Sequence, residues 1–248
     1  MPNPERLYTD EAIRARLEEV IRPREGPKFN PHEIRLSESG ACPRMRVARA
    51  MGLPGAPRDE EDLATAAILE AGHWWESYVV ARLKEMLGAG ALDTQALVKH
   101  KYGVGHIDIY IVPMRRIVEV KSTSEAAERF GLPKEGHLLQ LQSYLHFFRD
   151  REEGRALDGE IIYQLRGGGG LAWRSYHVPY DPDTGRGIEE ELDRIAALAA
   201  AGELPPRPPE AVPDKFPCGW RSRYSVGQCA WHHLCWGAAL PDGEPAPF

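Results

Sequence analysis

The chain has 248 residues, of which 42% are hydrophobic and 27% are charged, and this composition is typical of a folded globular protein. No apolar run approaches the roughly 20 residues that a membrane-spanning helix needs, and the charged N-terminal segment lacks the apolar core of a secretory signal. The net charge of −6 excludes binding to nucleic acid through bulk positive charge, although metal ions or local arginines can still contact phosphates. We therefore expect a cytoplasmic protein that does not associate with membranes.

The first part of the chain is predicted to be helical. Residues 9–22 carry apolar side chains on one helical face, and residues 60–87 are rich in Ala, Leu and Glu. Between these two helices, Pro and Gly mark linkers, and Cys42 lies in a short turn or helix.

The middle of the chain has the β-branched and aromatic enrichment of strands. The predicted strands are TQALVKHKY, VGHIDIYIV, RIVEVKS, EIIYQLR and LAWRSYHV. Leucines recur on one face of a predicted helix at 134–149, between the third and fourth strands, and a second amphipathic helix is predicted at 187–201. This order predicts an α/β fold with a central mixed sheet flanked by helices.

Two carboxylates and a lysine are predicted to converge on a β-hairpin. Asp108 lies on one face of the second strand, and Glu119 and Lys121 share one face of the third. The isoleucines of the second strand are expected together on its other face: Ile107, Ile109 and Ile111. Two carboxylates can bind Mg²⁺ or Mn²⁺ at a phosphate, and an ammonium can orient a water molecule or stabilise negative charge there. The alternative is a solvent-facing aspartate beside a surface ion pair.

Two predicted helices carry polar side chains that can approach this group. His73 and Glu76 are three residues apart on one face of the helix at 60–87, so one or both can supply a further metal ligand. Gln140 and Tyr144 are four residues apart on the helix at 134–149. The alternatives are a solvated helix edge for the first pair and a core aromatic for Tyr144.

The motifs G-x-I-D, E-V-K-S and Q-x-x-x-Y occur in this order within about residues 65–150. Together they resemble the RecB-type branch of the PD-(D/E)XK nucleases. The resemblance implies a restriction-endonuclease-like core and a metal-dependent DNA exonuclease. It further implies that Asp108 and Glu119 bind Mg²⁺ or Mn²⁺, that the Val120 carbonyl touches the metal, and that Lys121 is the catalytic lysine.

The same resemblance assigns roles to the helical residues. Gln140 and Tyr144 would contact the DNA end or brace the site. Either His73 or Glu76 would occupy the position of the first family motif and complete the metal site. The substrate implied is single-stranded DNA or DNA with single-stranded ends, with 5′ to 3′ polarity favoured.

The four cysteines are unevenly distributed, because Cys42 is early and the other three follow a proline-rich link at 203–217. The late cysteines are Cys218, Cys229 and Cys235. Four thiolates from both ends of a chain can ligate a 4Fe–4S cluster or a tetrahedral Zn²⁺, and His232 and His233 keep zinc open as a competing interpretation. The pattern resembles the iron–sulfur exonucleases of the CRISPR-associated protein 4 and AddB type, in which a 4Fe–4S cluster joins the N- and C-terminal segments around the nuclease core.

Arginines flank these cysteines in the sequence. They are Arg44, Arg46, Arg49, Arg221 and Arg223. If the cysteines meet, these arginines are expected to form a local basic patch suited to single-stranded DNA. The nearby tryptophans can either stack on bases or shield a cluster from water.

These interpretations divide the chain into an N-terminal helical segment with the first cysteine (1–59), a nuclease core (60–186) and a C-terminal segment with the cluster-binding tail (187–248). Two alternatives of another class remain. One is a DNA-end binding or processing subunit of a larger CRISPR-adaptation or recombination complex, and the other is a zinc-stabilised DNA-binding protein.

Overall fold

A five-stranded sheet lies at the centre of the protein, with the strands in the order β1-β2-β3-β4-β5. The structure is a computed structural model that describes residues 33–55, 63–148, 158–167, 172–213, 218–221 and 226–236. The strands of the main sheet are β1 (Leu92–His100), β2 (Gly103–Ile111), β3 (Arg116–Ser124), β4 (Asp158–Arg166) and β5 (Ala172–Pro179). A separate two-stranded sheet pairs β6 (Gly219–Arg221) with β7 (Val226–Gln228). The helix predicted at 9–22 lies outside the described residues.

Helices flank both faces of the main sheet. Those in the described part of the chain are α1 (Pro43–Ala50), α2 (Leu63–Leu87), α3 (Glu125–Glu128), α4 (Glu135–Phe148), α5 (Pro182–Ala201) and α6 (His232–Trp236). The predicted α/β architecture, a central mixed sheet flanked by helices, is confirmed: β3 and β4 are parallel, and the other neighbouring strands of this sheet are antiparallel. Because α4 lies between β3 and β4 in the chain, it forms the crossover that a parallel pair requires.

The apolar residues form one core cluster on each side of the sheet. Helix α2 packs Trp75 and Val79 against Val118 of β3. On the other side, α4 and α5 bury Leu141 and Leu192 in the larger cluster. None of the helices in the described residues is long and apolar enough to cross a membrane.

Helix α5 begins earlier than the predicted start at residue 187. Asp181 caps it, because its carboxylate accepts a hydrogen bond from the Asp183 N–H at 3.1 Å, and Pro182 occupies the first position, where a missing N–H has no consequence. Gly202 ends it with a φ of 72°. Capping thus adds a first turn that the leucine pattern alone does not reveal.

Strand β2 changes its packing partner in the middle. Ile107 belongs to the larger cluster, whereas Ile109 and Ile111 pack with α2. The prediction that all three isoleucines share a face is therefore wrong. The change occurs where the β1–β2 pairing skips Gln95 and Asp108, so the regular alternation of side chains is broken at Asp108 itself.

Candidate active site

The candidate site lies in a fork between β2 and β3. These strands pair only where Ile109–Ile111 meets Arg116–Val118, and they separate beyond that point, while β3 remains paired with β4 along its length. Asp108 is the first β2 residue beyond the paired segment, and its Oδ2 accepts a hydrogen bond from the Val120 N–H at 2.8 Å. The Asp108 carboxylate thus accepts the hydrogen bond that the backbone of a paired strand would accept, at the point where the two strands separate.

Glu119 and Lys121 of β3 extend toward α4 from the same fork. Glu119 is 1% exposed, and the Lys121 ammonium donates to its Oε1 at 2.5 Å. The structure therefore brings the predicted lysine into contact with one predicted carboxylate and places the other carboxylate on the neighbouring strand.

The two carboxylates are in an environment that disfavours their charge. Burial raises the pKa of Asp108 well above its usual range, and the negative charge of Glu119 raises it further. Burial also raises the pKa of Glu119, although Lys121 opposes this shift. Within the described residues, Oε2 of Glu119 is buried and has no hydrogen-bond partner. A buried carboxylate oxygen without a partner, beside a second acid, is the kind of donor that a bound cation would satisfy.

Glu76, rather than His73, is the α2 residue that interacts with this pair. Its negative charge adds to the burial that raises the pKa of both Asp108 and Glu119. Its Oε1 accepts a hydrogen bond from Gln95 Nε2 of β1 at 2.7 Å. His73 is exposed one turn earlier on the same helix. The side-chain oxygen donors near the fork are therefore three carboxylates, and a role for the Val120 carbonyl stays a prediction.

In the part of the chain that the structure describes, no group of three or more His, Cys, Asp or Glu side chains is already arranged to hold a metal ion. The chemistry of the donor set nevertheless fits Mg²⁺ or Mn²⁺, since every donor is an oxygen and one of the acids, Glu119, is fully buried. Metal binding at this fork thus stays a prediction.

Gln140 links the site to the interior of α4. Its Oε1 accepts from the Lys121 ammonium at 3.0 Å, and its Nε2 donates to Glu119 Oε1 at 2.8 Å and to the Tyr144 hydroxyl at 3.1 Å. Tyr144 is 1% exposed, and burial raises its pKa, so the phenol remains protonated. Of the two predicted roles, this geometry favours bracing of the site over direct contact with DNA for Tyr144.

The sequence interpretation did not identify Tyr163 of β4. Its hydroxyl accepts a hydrogen bond from the Lys134 N–H at 3.1 Å and lies within hydrogen-bond distance, 2.6 Å, of Nδ1 of His137. Burial, with the charges of Lys121 and Lys134, lowers the pKa of His137 to about 4. His137 is therefore neutral at physiological pH. Tyrosines in strands are so common that only the fold reveals this pairing.

The four cysteines line a single pocket: Cys42, Cys218, Cys229 and Cys235. All four are free thiols. The Cys229 N–H donates to the Cys218 carbonyl at 2.8 Å. Burial raises the pKa of both Cys218 and Cys229, and the charges of neighbouring cysteines raise each further. Thiols from both ends of the chain thus line one pocket, although no three of these cysteines in the described residues are already arranged to hold a metal ion.

The arginines near this pocket bind protein groups. Arg46 is 2% exposed and lies 3.1 Å from the carboxylate of Glu191 on α5. The predicted DNA-contacting role is therefore wrong for Arg46, because a buried guanidinium does not reach an external phosphate. Arg49 pairs with Glu38 and lies 5.1 Å above the ring of Trp231.

The remaining predicted arginines divide into two groups. Arg44 donates to the carbonyl of Pro205 and, at 2.8 Å, to that of Leu234, so it joins the proline-rich link to the tail. The side chains of Arg221 and Arg223 lie outside the described residues. Of the described arginines, Arg44 lines the cysteine pocket and Arg49 contacts Trp231 of its lining.

Tryptophans cover the pocket rather than project from it. Trp231 donates from Nε1 to the Leu53 carbonyl at 3.0 Å. Trp236 is covered by the Arg207 guanidinium at 3.8 Å, and Arg207 also donates to the Cys235 carbonyl at 2.8 Å. These contacts favour the interpretation in which tryptophans shield the thiols from water.

No protein-family model matches the chain, and no curated protein matches its sequence. Among solved structures, an alkaline exonuclease (LHK-Exo) from Laribacter hongkongensis is similar with a TM-score of 0.49 and 13% identity, over 69% of this chain and 90% of that chain. A phage-related exonuclease from Haemophilus somnus 129PT has a TM-score of 0.45 and 13% identity, over 68% and 94%. The structure of SSO0001 has a TM-score of 0.44 and 20% identity, over 75% and 84%.

Proposed function

We propose that this protein is a metal-dependent deoxyribonuclease that hydrolyses phosphodiester bonds at the β2–β3 fork. The observation that carries the proposal is the pairing of half-buried Asp108 with buried Glu119, with one Glu119 carboxylate oxygen unpartnered and the Lys121 ammonium beside it. An unsatisfied buried acceptor is destabilising, so this oxygen is a position where a bound cation would add stability.

The oxygen donors define where a cation would be held. Asp108, Glu119, Glu76 and the Val120 carbonyl would bind Mg²⁺ or Mn²⁺, and His73 is left outside this set because it is exposed. When bound, such an ion supplies Lewis-acid polarisation of a phosphate and lowers the pKa of a bound water.

Side chains of the protein itself would orient the water molecule and stabilise negative charge on the phosphate. Lys121 is held by Glu119 and Gln140, so its ammonium has a fixed direction in which to stabilise negative charge on a phosphate or to orient a water molecule. Gln140 is fixed in turn by Tyr144. Burial lowers the pKa of His137, and the Lys121 ammonium is close enough to lower it further, so a neutral imidazole lies beside the lysine.

The first test is cleavage by the purified chain. With Mn²⁺ or Mg²⁺, we expect degradation of single-stranded DNA labelled at either the 5′ or the 3′ end, and the order of product release gives the polarity. EDTA, Asp108→Ala and Lys121→Ala should each reduce the rate by at least about 100-fold. Lys99→Ala is the matched control, because Lys99 is an exposed lysine of β1.

Two outcomes would count against the proposal. Lys121→Ala that degrades DNA at the wild-type rate removes the lysine from the mechanism. Cleavage that needs an added protein partner favours the DNA-end processing subunit of a CRISPR-adaptation or recombination complex instead.

We further propose that the cysteine pocket holds a 4Fe–4S cluster with a structural role. Four thiols converge there from both ends of the chain and are covered by tryptophans. Anaerobically purified protein should be brown, absorb broadly near ~400 nm, and contain about four irons and four sulfides per chain. Colourless protein with one zinc per chain would establish the competing zinc site.

A further inference from the structure

The β1–β2 ladder is interrupted at one facing pair of residues. Thr94 pairs with Ile109 and Ala96 with Ile107, so Gln95 and Asp108 occupy facing positions, yet they do not pair. Gln95 has a φ of 56°, in the left-handed region that residues with a Cβ rarely adopt. No turn requires this conformation, since Gln95 lies inside a nine-residue strand.

The side chain of Gln95 has one identified function in this conformation. Its amide Nε2 donates to Oε1 of Glu76 at 2.7 Å, and so connects β1 to α2. The contact lies at the protein surface, because Gln95 is exposed and Glu76 is half-buried. Backbone strain persists where the surrounding structure holds it for a purpose, most often at functional sites.

An amide is suited to orienting a carboxylate that must remain a ligand. It donates a hydrogen bond to one oxygen without neutralising the charge, and it leaves the second oxygen available. A lysine or arginine at the same position would compete with a bound cation for the Glu76 charge. Partners of this kind, one step removed from the metal, orient the ligands and commonly change metal affinity 10- to 100-fold.

We propose that Gln95 is a positioning residue that holds Glu76 toward the Asp108–Glu119 pair for metal binding. The proposal rests on the proposed metal-dependent function. The left-handed backbone at Gln95 turns its amide toward α2, and the same distortion releases Asp108 from the β1 ladder. One interruption of the sheet therefore places two of the three acids.

The test is Mn²⁺ binding to the DNA-free protein, measured by calorimetry and by the loss of the free-Mn²⁺ EPR signal. Gln95→Ala and Gln95→Gly both remove the amide, so each should weaken Mn²⁺ binding about 10-fold or more. Only glycine relieves the left-handed backbone, so Gln95→Gly should melt higher than Gln95→Ala, by about 2–4 °C. Lys99→Ala on the same strand should leave both readouts unchanged.

A double-mutant cycle separates positioning from a general structural effect. In a Glu76→Ala background, Gln95→Ala should weaken Mn²⁺ binding no further, because its only proposed route of action is removed. Wild-type Mn²⁺ affinity in Gln95→Ala, or equal losses in both backgrounds, overturns the role of Gln95 alone. Absence of Mn²⁺ binding by the wild-type protein overturns the metal-dependent function and this inference together.

Discussion

Asp108 is half-buried and Glu119 is buried, and their raised pKa values have a consequence for stability. The folded state binds their protons more tightly than the unfolded chain does, because burial disfavours the charged forms. In the metal-free protein, their contribution to stability is thus fully present below the ordinary carboxylate pKa of about 4. It is lost as the pH rises through their folded-state pKa values.

We predict that Asp108→Asn stabilises the metal-free protein at pH 8. The asparagine Oδ1 can still accept from the Val120 N–H, while the buried charge is gone, so we expect a gain on the order of 1–2 kcal/mol in the free energy of unfolding. The measurement is urea unfolding in EDTA at pH 5 and pH 8. The gain should be smaller at pH 5, and Glu203→Gln, which changes an exposed acid, should show neither effect.

The same acids should respond to a cation in the opposite direction. At pH 8, added Mn²⁺ should raise the melting temperature of the wild-type protein, because a ligand that binds only the folded state stabilises it. Asp108→Asn should lose most of this increase. If the melting temperature of Asp108→Asn still rises with Mn²⁺ by the full wild-type amount, Asp108 is not a ligand.

At the scale of elements, the close approach of β2 to α4 fixes the position of Tyr144. A Cβ built on Gly105 would lie 2.8 Å from the Tyr144 ring and 3.2 Å from Leu36. We predict that Gly105→Ala lowers the free energy of unfolding by about 1–3 kcal/mol, because the rigid ring must shift. Since Tyr144 holds Gln140, the variant should also lose DNA cleavage beyond what its stability explains.

A glycine on α4, the helix that carries Tyr144, provides the control for that experiment. Gly136 lies in the first turn of α4, and a Cβ there meets no atom within 4 Å. Gly136→Ala should therefore raise stability by roughly 0.5–1 kcal/mol and leave cleavage unchanged. Equal effects of the two glycine substitutions on urea unfolding would contradict the packing argument.

The sequence predicted those elements whose side-chain pattern is repetitive. The leucines of α4 gave a predicted range of 134–149 against Glu135–Phe148 in the structure, and the strand motifs placed Glu119 and Lys121 on β3. It did not predict the interruption at Gln95, because glutamine carries no preference for a left-handed backbone. It also misplaced Arg46, since burial against Glu191 depends on an element about 140 positions away.

At the scale of the whole molecule, the cysteine pocket joins distant parts of the chain. Cys42 precedes α1, and Arg46 of α1 pairs with Glu191 of α5, which packs on the large core cluster. At the other end, the Pro213 carbonyl lies 3.2 Å from His232 Nε2. The tail is therefore attached to the core through the pocket and a few polar contacts.

A cross-link between positions this far apart restricts the unfolded chain, so removing it should cost stability. We predict that Cys42→Ser lowers the content of bound iron or zinc to near zero and lowers the free energy of unfolding by about 3–5 kcal/mol. Arg44→Ala is the matched comparison, because it removes the hydrogen bonds to Pro205 and Leu234 but keeps all four thiols. It should retain the metal and lose only about 1–3 kcal/mol.

Metal analysis and thermal unfolding of these two variants, with limited proteolysis of the tail, check the prediction. Because the β2–β3 fork contacts neither substitution, Mn²⁺ binding by the fraction of Cys42→Ser that remains folded should equal that of the wild type. A Cys42→Ser protein with full metal content and an unchanged melting temperature would show that Cys42 does not take part in a stabilising cross-link. Loss of Mn²⁺ binding from its folded fraction would instead show that the pocket and the fork act as one cooperative unit.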